Sequence, residues 1–451
     1  MSTPNVYVLG AGLAGCEAAH QLALRGVRVG LVEMKPTRMT PAHHSPDFAE
    51  LCCSNSLRSD VLTNAVGVLK EEMRRMDSLI LAAADATRVP AGSALAVDRD
   101  RFSALITERI RSNPLIEVRE CEATEIPDDG VCIVATGPLT SDAMAEAIAR
   151  LTGKEGLHFF DAVAPIVDFA SINMDVAFFA SRYDKGDADY INCPMTREQY
   201  DAFYAALTTA KEAELKEFDR EGQKAPNVFE GCMPVEIMAR RGYDTLRYGP
   251  LKPVGLVDPR VGREAYAVVQ LRRENRAGTM YNLVGFQTHL TFPEQKRVFS
   301  MIPGLENATF LRYGVMHRNT YLKSPGFLNT VYGVMARPNL FFAGQMTGVE
   351  GYVESASSGF VAGVNAARQV LGMSPIIFPR ETVIGALAAY VAEGGLSSKF
   401  QPMNANFGII APLEKKVKGG KRFRNEAYAQ RSLEIVDEFV GKLHGEHNAK
   451  E

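Results

Sequence analysis

Short apolar runs closed by glycine recur along the chain: Asn5 to Gly10 (NVYVLG), Val131 to Gly137 (VCIVATG) and Asn339 to Gly344 (NLFFAG). Runs of this length, ended by a turn residue, predict buried strands. After the first run, Ala18, Ala19, Leu22 and Ala23 recur at helical spacing. They predict a helix from about Leu13 to Arg25, capped by Gly26. A second strand, VRVGLVE, ends at Glu33. From about Asp161 to Leu322 the texture changes. PEQKRVF and TREQYDAFYAALTTAKEAELKEFDRE carry helical spacing. AYAVVQLRRENRAGTMYNLVGFQTHL reads as a β-hairpin with Gly278 in its turn. The pattern predicts an α/β protein with a Rossmann-like nucleotide-binding domain in two parts, residues 1–155 and 326–451. The second part carries a C-terminal helical segment. Residues 156–325 form an inserted α/β domain containing antiparallel strands.

The first glycine turn, GAGLAG, has Gly10, Gly12 and Gly15 in G-x-G-x-x-G spacing between a strand and a helix. Gly10 permits the tight turn, Gly12 lets backbone approach a pyrophosphate, and Gly15 lets helix and strand pack closely. Ala11, Leu13 and Ala14 complete the turn. Glu33, 23 positions after Gly10, stands close to the usual offset of about 20 for the acid that accepts ribose hydroxyls. NAD and FAD share this signature. Two later segments favour FAD: the Thr136–Gly137 turn, and Gly344–Gln345 followed by a Gly- and Ser-rich helix start. The N-terminus of that helix is expected to stabilise negative charge on flavin or phosphate. A plain strand–helix packing unit is the competing reading of that segment.

With 451 residues, 46% of them hydrophobic, the chain can bury two or three domain cores. The net charge of -3 excludes a polycation, so nucleic acid must be met by local basic patches. One such patch is EKKVKGGKRFRNEAY, with Lys415, Lys416, Lys418, Lys421, Arg422 and Arg424 around Phe423. It suits phosphate contact plus stacking, or simply a solvated loop. No secretory signal or membrane-length apolar run is visible, and the seven cysteines are odd in number. A cytoplasmic protein with reduced thiols is expected. Without Cys-x-x-Cys or matching histidine spacing, no metal site is expected.

The cysteines sort by surroundings. Cys16 follows Gly15 on the helix and reads as a packing residue. Cys121 and Cys132 lie in apolar strand patterns and read as core, and Cys193 is intermediate. Cys52 and Cys53 open the polar stretch CCSNS, and Cys232 sits in VFEGCMPVE between Glu230 and Glu236. His43 and His44 lie close to Cys53 in sequence.

GAGLAGCEAA, MTPAH, CSNSL, RVPAGSALAVDRDRFS, YGPLKPVGLVDPR, LVGFQT, RYGVMHRNTY, AGQMTGVEGYVESA and FQPMNANFG closely resemble the folate- and FAD-dependent tRNA (uracil-5-)-methyltransferase family, in the family's order and over nearly the whole chain. The larger FAD-dependent tRNA wobble-uridine-modifying proteins are more distantly similar. The resemblance implies FAD as cofactor and 5,10-methylenetetrahydrofolate as one-carbon donor. It also implies NADPH or NADH as reductant, and 5-methyluridine at position 54 of the tRNA T-loop as product. It places the two functional thiols at Cys53 and Cys232, and not at Cys52. Uracil C5 is a poor nucleophile until a thiolate adds to C6. Cys232 is the expected C6 nucleophile, with Cys53 as its partner near the flavin, accepting the C5 proton or holding the activated carbon. A reduced flavin can carry the methylene and supply the final hydride. His317, Arg318, Asn319 and Tyr321 are candidate orienting residues. Lys252, Arg272 and Arg273 are candidates for folate glutamates or RNA phosphate, or are plain surface charges. The competing readings are the same chemistry on ribosomal RNA, a flavin oxidoreductase acting on a small molecule, and a non-catalytic RNA-binding flavoprotein.

Overall fold

The computed structural model describes residues 4–40, 42–153, 157–162, 164–184, 187–213, 233–314, 316–394, 400–415 and 417–445. Five strands form a parallel sheet in the order 337–342, 131–134, β1 (Val6–Leu9), β2 (Val29–Glu33) and 116–120. A short strand, Gly333–Val334, adds antiparallel to Arg337–Phe342 at one edge. Strand order reverses between β1 and Val131–Val134, and a crevice opens at the carboxyl ends of strands at such a reversal. The glycine turn after β1 and the Thr136–Gly137 turn both lie at that crevice. Every residue of β2 and of Val131–Val134 is buried, as apolar runs covered on both faces require.

The middle of the chain builds a second six-stranded sheet, in the order 178–180, 190–195, 267–273, 280–283, 166–168, 310–312. All its pairings are antiparallel. The hairpin forms as expected, with Leu271 opposite Leu283 and Gly278 at φ 70° in the turn. Helices Arg197–Thr209 and Phe292–Phe299 pack on this unit. Its apolar core runs from Ala164 to Ala308, separate from the core of the nucleotide-binding unit, which gathers residues from both ends of the chain. The chain leaves along Leu157–Ala162 and returns along Met316–Tyr321, and these two segments pair as an antiparallel ribbon.

Helix α1 (Leu13–Leu24) packs against the long helix Tyr352–Val370. A β-carbon on Gly363 would lie 2.7 Å from Ala18 O, and one on Gly359 would collide with the Ala14 carbonyl. The pairs 14 with 359 and 18 with 363 advance together, so the helices run parallel and both begin at the cleft. The run of small residues after Gly344 therefore serves close helix packing. Cys16 and Cys132 are buried as expected, and Cys193 is fully buried. Cys121 departs from expectation: it follows the strand Ile116–Glu120 and is exposed. Its apolar neighbours belong to the strand, which ends one residue earlier.

Glu72, on the helix Ala65–Arg75, ties down the C-terminal elements. Its carboxylate accepts from Val383 N–H at 2.7 Å, Ile384 N–H at 2.9 Å and the Ser432 hydroxyl. These cap the helix Val383–Glu393 and hold the helix Lys421–Gly445. No helix among the described residues is long and apolar enough to cross a membrane.

Two outcomes follow. Gly359→Ala should lower the urea midpoint, costing about 1–3 kcal/mol by overpacking, where a helical Gly→Ala change ordinarily gains close to 1 kcal/mol. Burial raises the Glu72 carboxyl from 4.5 to about 7, against the lowering by its three donors. The folded chain then holds this proton more tightly than the unfolded chain. Its stabilising contribution is whole below about 4.5 and is lost as pH climbs through about 7. Midpoints measured across that window should vary less with pH in Glu72→Gln than in the native chain.

Candidate active site

One cleft gathers the glycine turn, the acid of β2, both distant turns and two thiols. Gly10, Ala11, Gly12, Leu13, Ala14, Glu33, Thr136, Gly137, Gly344, Gln345, Cys52 and Cys53 all line it. Gly10 sits at φ 98°, and a β-carbon there would lie 2.6 Å from Ala135 O. Gly15 stands behind the cleft, where its bare α-carbon lets α1 close on the Gly10 carbonyl. A β-carbon on Gly12 or Gly137 would meet nothing within 4 Å. The backbone is thus open to a ligand at both turns. Glu33 receives Ala11 N–H at 2.7 Å and Lys35 N–H at 3.0 Å, one on each oxygen. Each oxygen keeps a lone pair for a ribose hydroxyl. Ser358 Oγ accepts from Gly344 N–H at 2.7 Å and fixes the third turn from the second helix.

The polar residues after the cysteines hold the thiol loop in place. Tyr352, first residue of its helix, accepts at its hydroxyl from Cys53 N–H at 2.7 Å and Ser54 N–H at 3.3 Å. Asn55 donates to Val97 O and Arg273 O, both at 2.9 Å. Arg272 donates to Asn55 Oδ1 at 3.1 Å and Ser54 Oγ at 2.6 Å. Arg99 reaches the carbonyls of Leu51 and Cys52 and pairs with Glu274 at 2.8 Å. Arg272, Arg273 and Glu274 lie at the end of the Ala267–Arg273 strand, so the inserted unit grips the loop of the nucleotide-binding unit. Arg272 is buried, which excludes a plain surface charge.

Cys52 and Cys53 differ in surroundings. Burial, reinforced by Glu50 and opposed by Arg312, Arg99 and Lys35, pushes the Cys52 thiol up to about 12. Cys52 is therefore a neutral thiol near pH 7. Cys53 lines the cleft on the loop held by Tyr352. Cys232 lies outside the described residues. Downstream of it, Glu236 is buried in the helix Val235–Arg240 and accepts from Thr288 Oγ1 at 2.9 Å and His289 N–H at 2.7 Å. That carboxylate is a structural anchor.

His43 lines the cleft, its ring 2.6 Å from Thr40 Oγ1, while His44 is held through its backbone N–H to Glu50. Lys35, Tyr352 and Ser355 also line the cleft and carried no sequence signal of their own. Lys35 pairs with Glu50 at 3.6 Å and donates to Ser45 O, so it holds the loop that carries the thiols. Tyr352 was legible only as part of GVEGYVES.

A model of the glucose inhibited division protein A family matches residues 5–374. Methylenetetrahydrofolate--tRNA-(uracil-5-)-methyltransferase TrmFO of Acetivibrio thermocellus is 59% identical over 437 residues, 97% of this chain and 99% of that protein. The protein of the same name from Heliobacterium modesticaldum is 60% identical, over 97% and 98%. The chain belongs to the TrmFO family. GidA of Aquifex aeolicus superposes with a TM-score of 0.70 over 98% of this chain and 75% of that one, at 16% identity. The TrmFO-family chain therefore shares the GidA fold, a Rossmann-like unit carrying an insertion.

Tyr352→Phe removes the acceptor of the Cys53 and Ser54 N–H groups. An unpaired donor of this kind costs about 1–3 kcal/mol. Turnover should fall roughly tenfold, equivalent to about 1.4 kcal/mol, with bound flavin absorbance unchanged. Full activity in the variant would show that the hydroxyl does not position Cys53.

Proposed function

We propose that the chain methylates uracil C5 in the T-loop of tRNA, taking the one-carbon unit from 5,10-methylenetetrahydrofolate. The observation that carries this reading is the placement of Cys53 in the cleft lined by the glycine signature and Glu33. A thiol there has a chemical task beside a redox cofactor and none in a simple dinucleotide site. The names of relatives about 60% identical over nearly the full chain support the substrate and donor.

The residues present fit FAD. The open space over Gly12 suits a pyrophosphate, the free lone pairs of Glu33 suit a ribose, and two helix N-termini face the cleft. Gly10, Ala11, Gly12, Leu13, Ala14, Glu33, Thr136, Gly137, Gly344 and Gln345 are the proposed contacts, with Gly15 supporting the turn. FAD, when bound, supplies two-electron reduction, renewed by NADPH or NADH.

The protein's own part is nucleophilic and positional. Cys232 adds as thiolate to uracil C6, which makes C5 nucleophilic toward the methylene. Loss of the C5 proton and departure of the thiolate restore the ring. Cys53, fixed by Tyr352 and by the Arg99 and Arg272 contacts of its loop, accepts that proton or holds the activated carbon. Neutral Cys52 takes no part. The site of action is cytoplasmic, where tRNA and reduced folate are available.

Labelled methylenetetrahydrofolate, NADPH and unmodified tRNA should yield labelled 5-methyluridine on nuclease digestion. Cys53→Ala and Cys232→Ala should each cut incorporation at least 100-fold, about 2.7 kcal/mol, while Cys52→Ala stays near native. Label appearing in ribosomal RNA transcripts and not in tRNA would overturn the substrate. Unchanged incorporation in Cys232→Ala would overturn the thiolate mechanism.

A further inference from the structure

A second open cavity, of about 740 Å³, lies between the first turn of the helix Ala65–Arg75 and the C-terminal segment. Arg58, Lys421, Arg424, Asn425, Phe407 and Tyr428 line it, and none of its lining residues is acidic. In a chain of net charge -3 this is a local concentration of cations. Lys421 and Arg424 are exposed and enter no ion pair among the described residues. Arg58 is tied to buried Glu354, which also accepts from Ala405 N–H at 2.8 Å. The groove is therefore built on a fixed frame.

Asn425 supplies the second indication. It is 7% exposed. Its Nδ2 donates to Thr63 O at 2.9 Å, and its buried Oδ1 has no hydrogen-bond partner among the described residues. An orphaned acceptor beside two unpaired cations suits a ligand that carries both negative charge and a hydroxyl donor. A phosphodiester alone lacks the donor, and ribonucleotides have both through the 2′-hydroxyl. Phe407 and Tyr428 stack at 5.5 Å on the groove wall, and Phe423 stands 54% exposed beside Arg424. Exposed Lys415 and Lys418 lie on the same chain segment. That run of cations is longer than one diphosphate needs and fits a strand.

We infer that this groove binds the sugar–phosphate backbone of the RNA substrate beside the target base, with Lys421 and Arg424 each taking a phosphate. Arg58 lies five residues beyond Cys53 in sequence, and five residues span at most roughly 18 Å. A strand in the groove thus passes within two or three nucleotides of the thiol loop. The inference rests on the RNA reading given above and assigns its docking surface.

The test uses the flavin-loaded full chain and an unmodified tRNA transcript, with binding followed by anisotropy across a salt series. Lys421→Ala/Arg424→Ala should weaken binding at least tenfold at low salt. The slope of log K against log salt should shrink by about 1.4, two single-strand phosphates at about 0.7 each. Flavin content and tRNA-independent NADPH oxidation should stay at native values. Arg422→Ala removes a charge already paired with Glu426 at 2.8 Å, and should change affinity less than twofold. Equal binding by the native chain and the double variant overturns the groove and leaves tRNA methylation standing. So does an equal loss in Arg422→Ala. A raised KM for NADPH with unchanged tRNA affinity gives the groove to the nicotinamide instead. A native chain that binds no tRNA overturns both readings.

Discussion

The close parallel contact between α1 and the helix Tyr352–Val370 is the constraint on which the site depends. Glycines at 359 and 363 let the second helix rest on the Ala14 and Ala18 backbone. Both helices then start at the same crevice. Their N-terminal dipoles add there, in the place where a dinucleotide's phosphates and an electron-accepting ring concentrate negative charge. A larger side chain at either glycine would push the second helix away. Tyr352 and Ser358 would go with it, and these hold the thiol loop and the Gly344 turn.

The thiol loop joins the two units. Tyr352 holds its backbone from one side, and the Ser54 and Asn55 side chains tie it to Arg272 and to the carbonyls of Val97 and Arg273. The buried guanidinium groups are balanced by Glu274 and by carbonyl acceptors. That arrangement explains why Ser-Asn-Ser follows the cysteines. Ser54 and Asn55 give the Arg272 guanidinium its acceptors and join the loop to the strand that carries it. The arrangement also separates two adjacent thiols chemically. Both line the cleft, but desolvation and Glu50 raise the Cys52 thiol, while the Tyr352 hydroxyl holds the Cys53 N–H.

The inserted sheet and the C-terminal helix extend the fold beyond cofactor binding. The insertion supplies Arg272 and Glu274 to the loop, so its position against the nucleotide-binding unit is part of the site. The C-terminal helix, held by Glu72 through Ser432, carries Lys421 and Arg424 to the second cavity. The elements that shape the cleft and those that present cations therefore share one apolar core.

The chain order by itself determined the nucleotide-binding unit, because local rules suffice there. Buried parallel strands must be apolar, a tight turn at φ 98° needs Gly10, and the acid at the usual offset from that turn falls at the end of β2. The hairpin around Gly278 was legible for the same reason. Other features were decided by the fold. Arg272 reads as a contact for folate or RNA phosphate, or as a surface charge, until a strand 218 residues from Ser54 places it against that serine. The small residues after Gly344 suggest a ligand until α1 is seen lying on them. Cys121 looks like core until its strand ends one residue before it. In the first two cases the deciding partner is distant in sequence, and hydrophobic periodicity records which face a residue takes but not what it meets across that face.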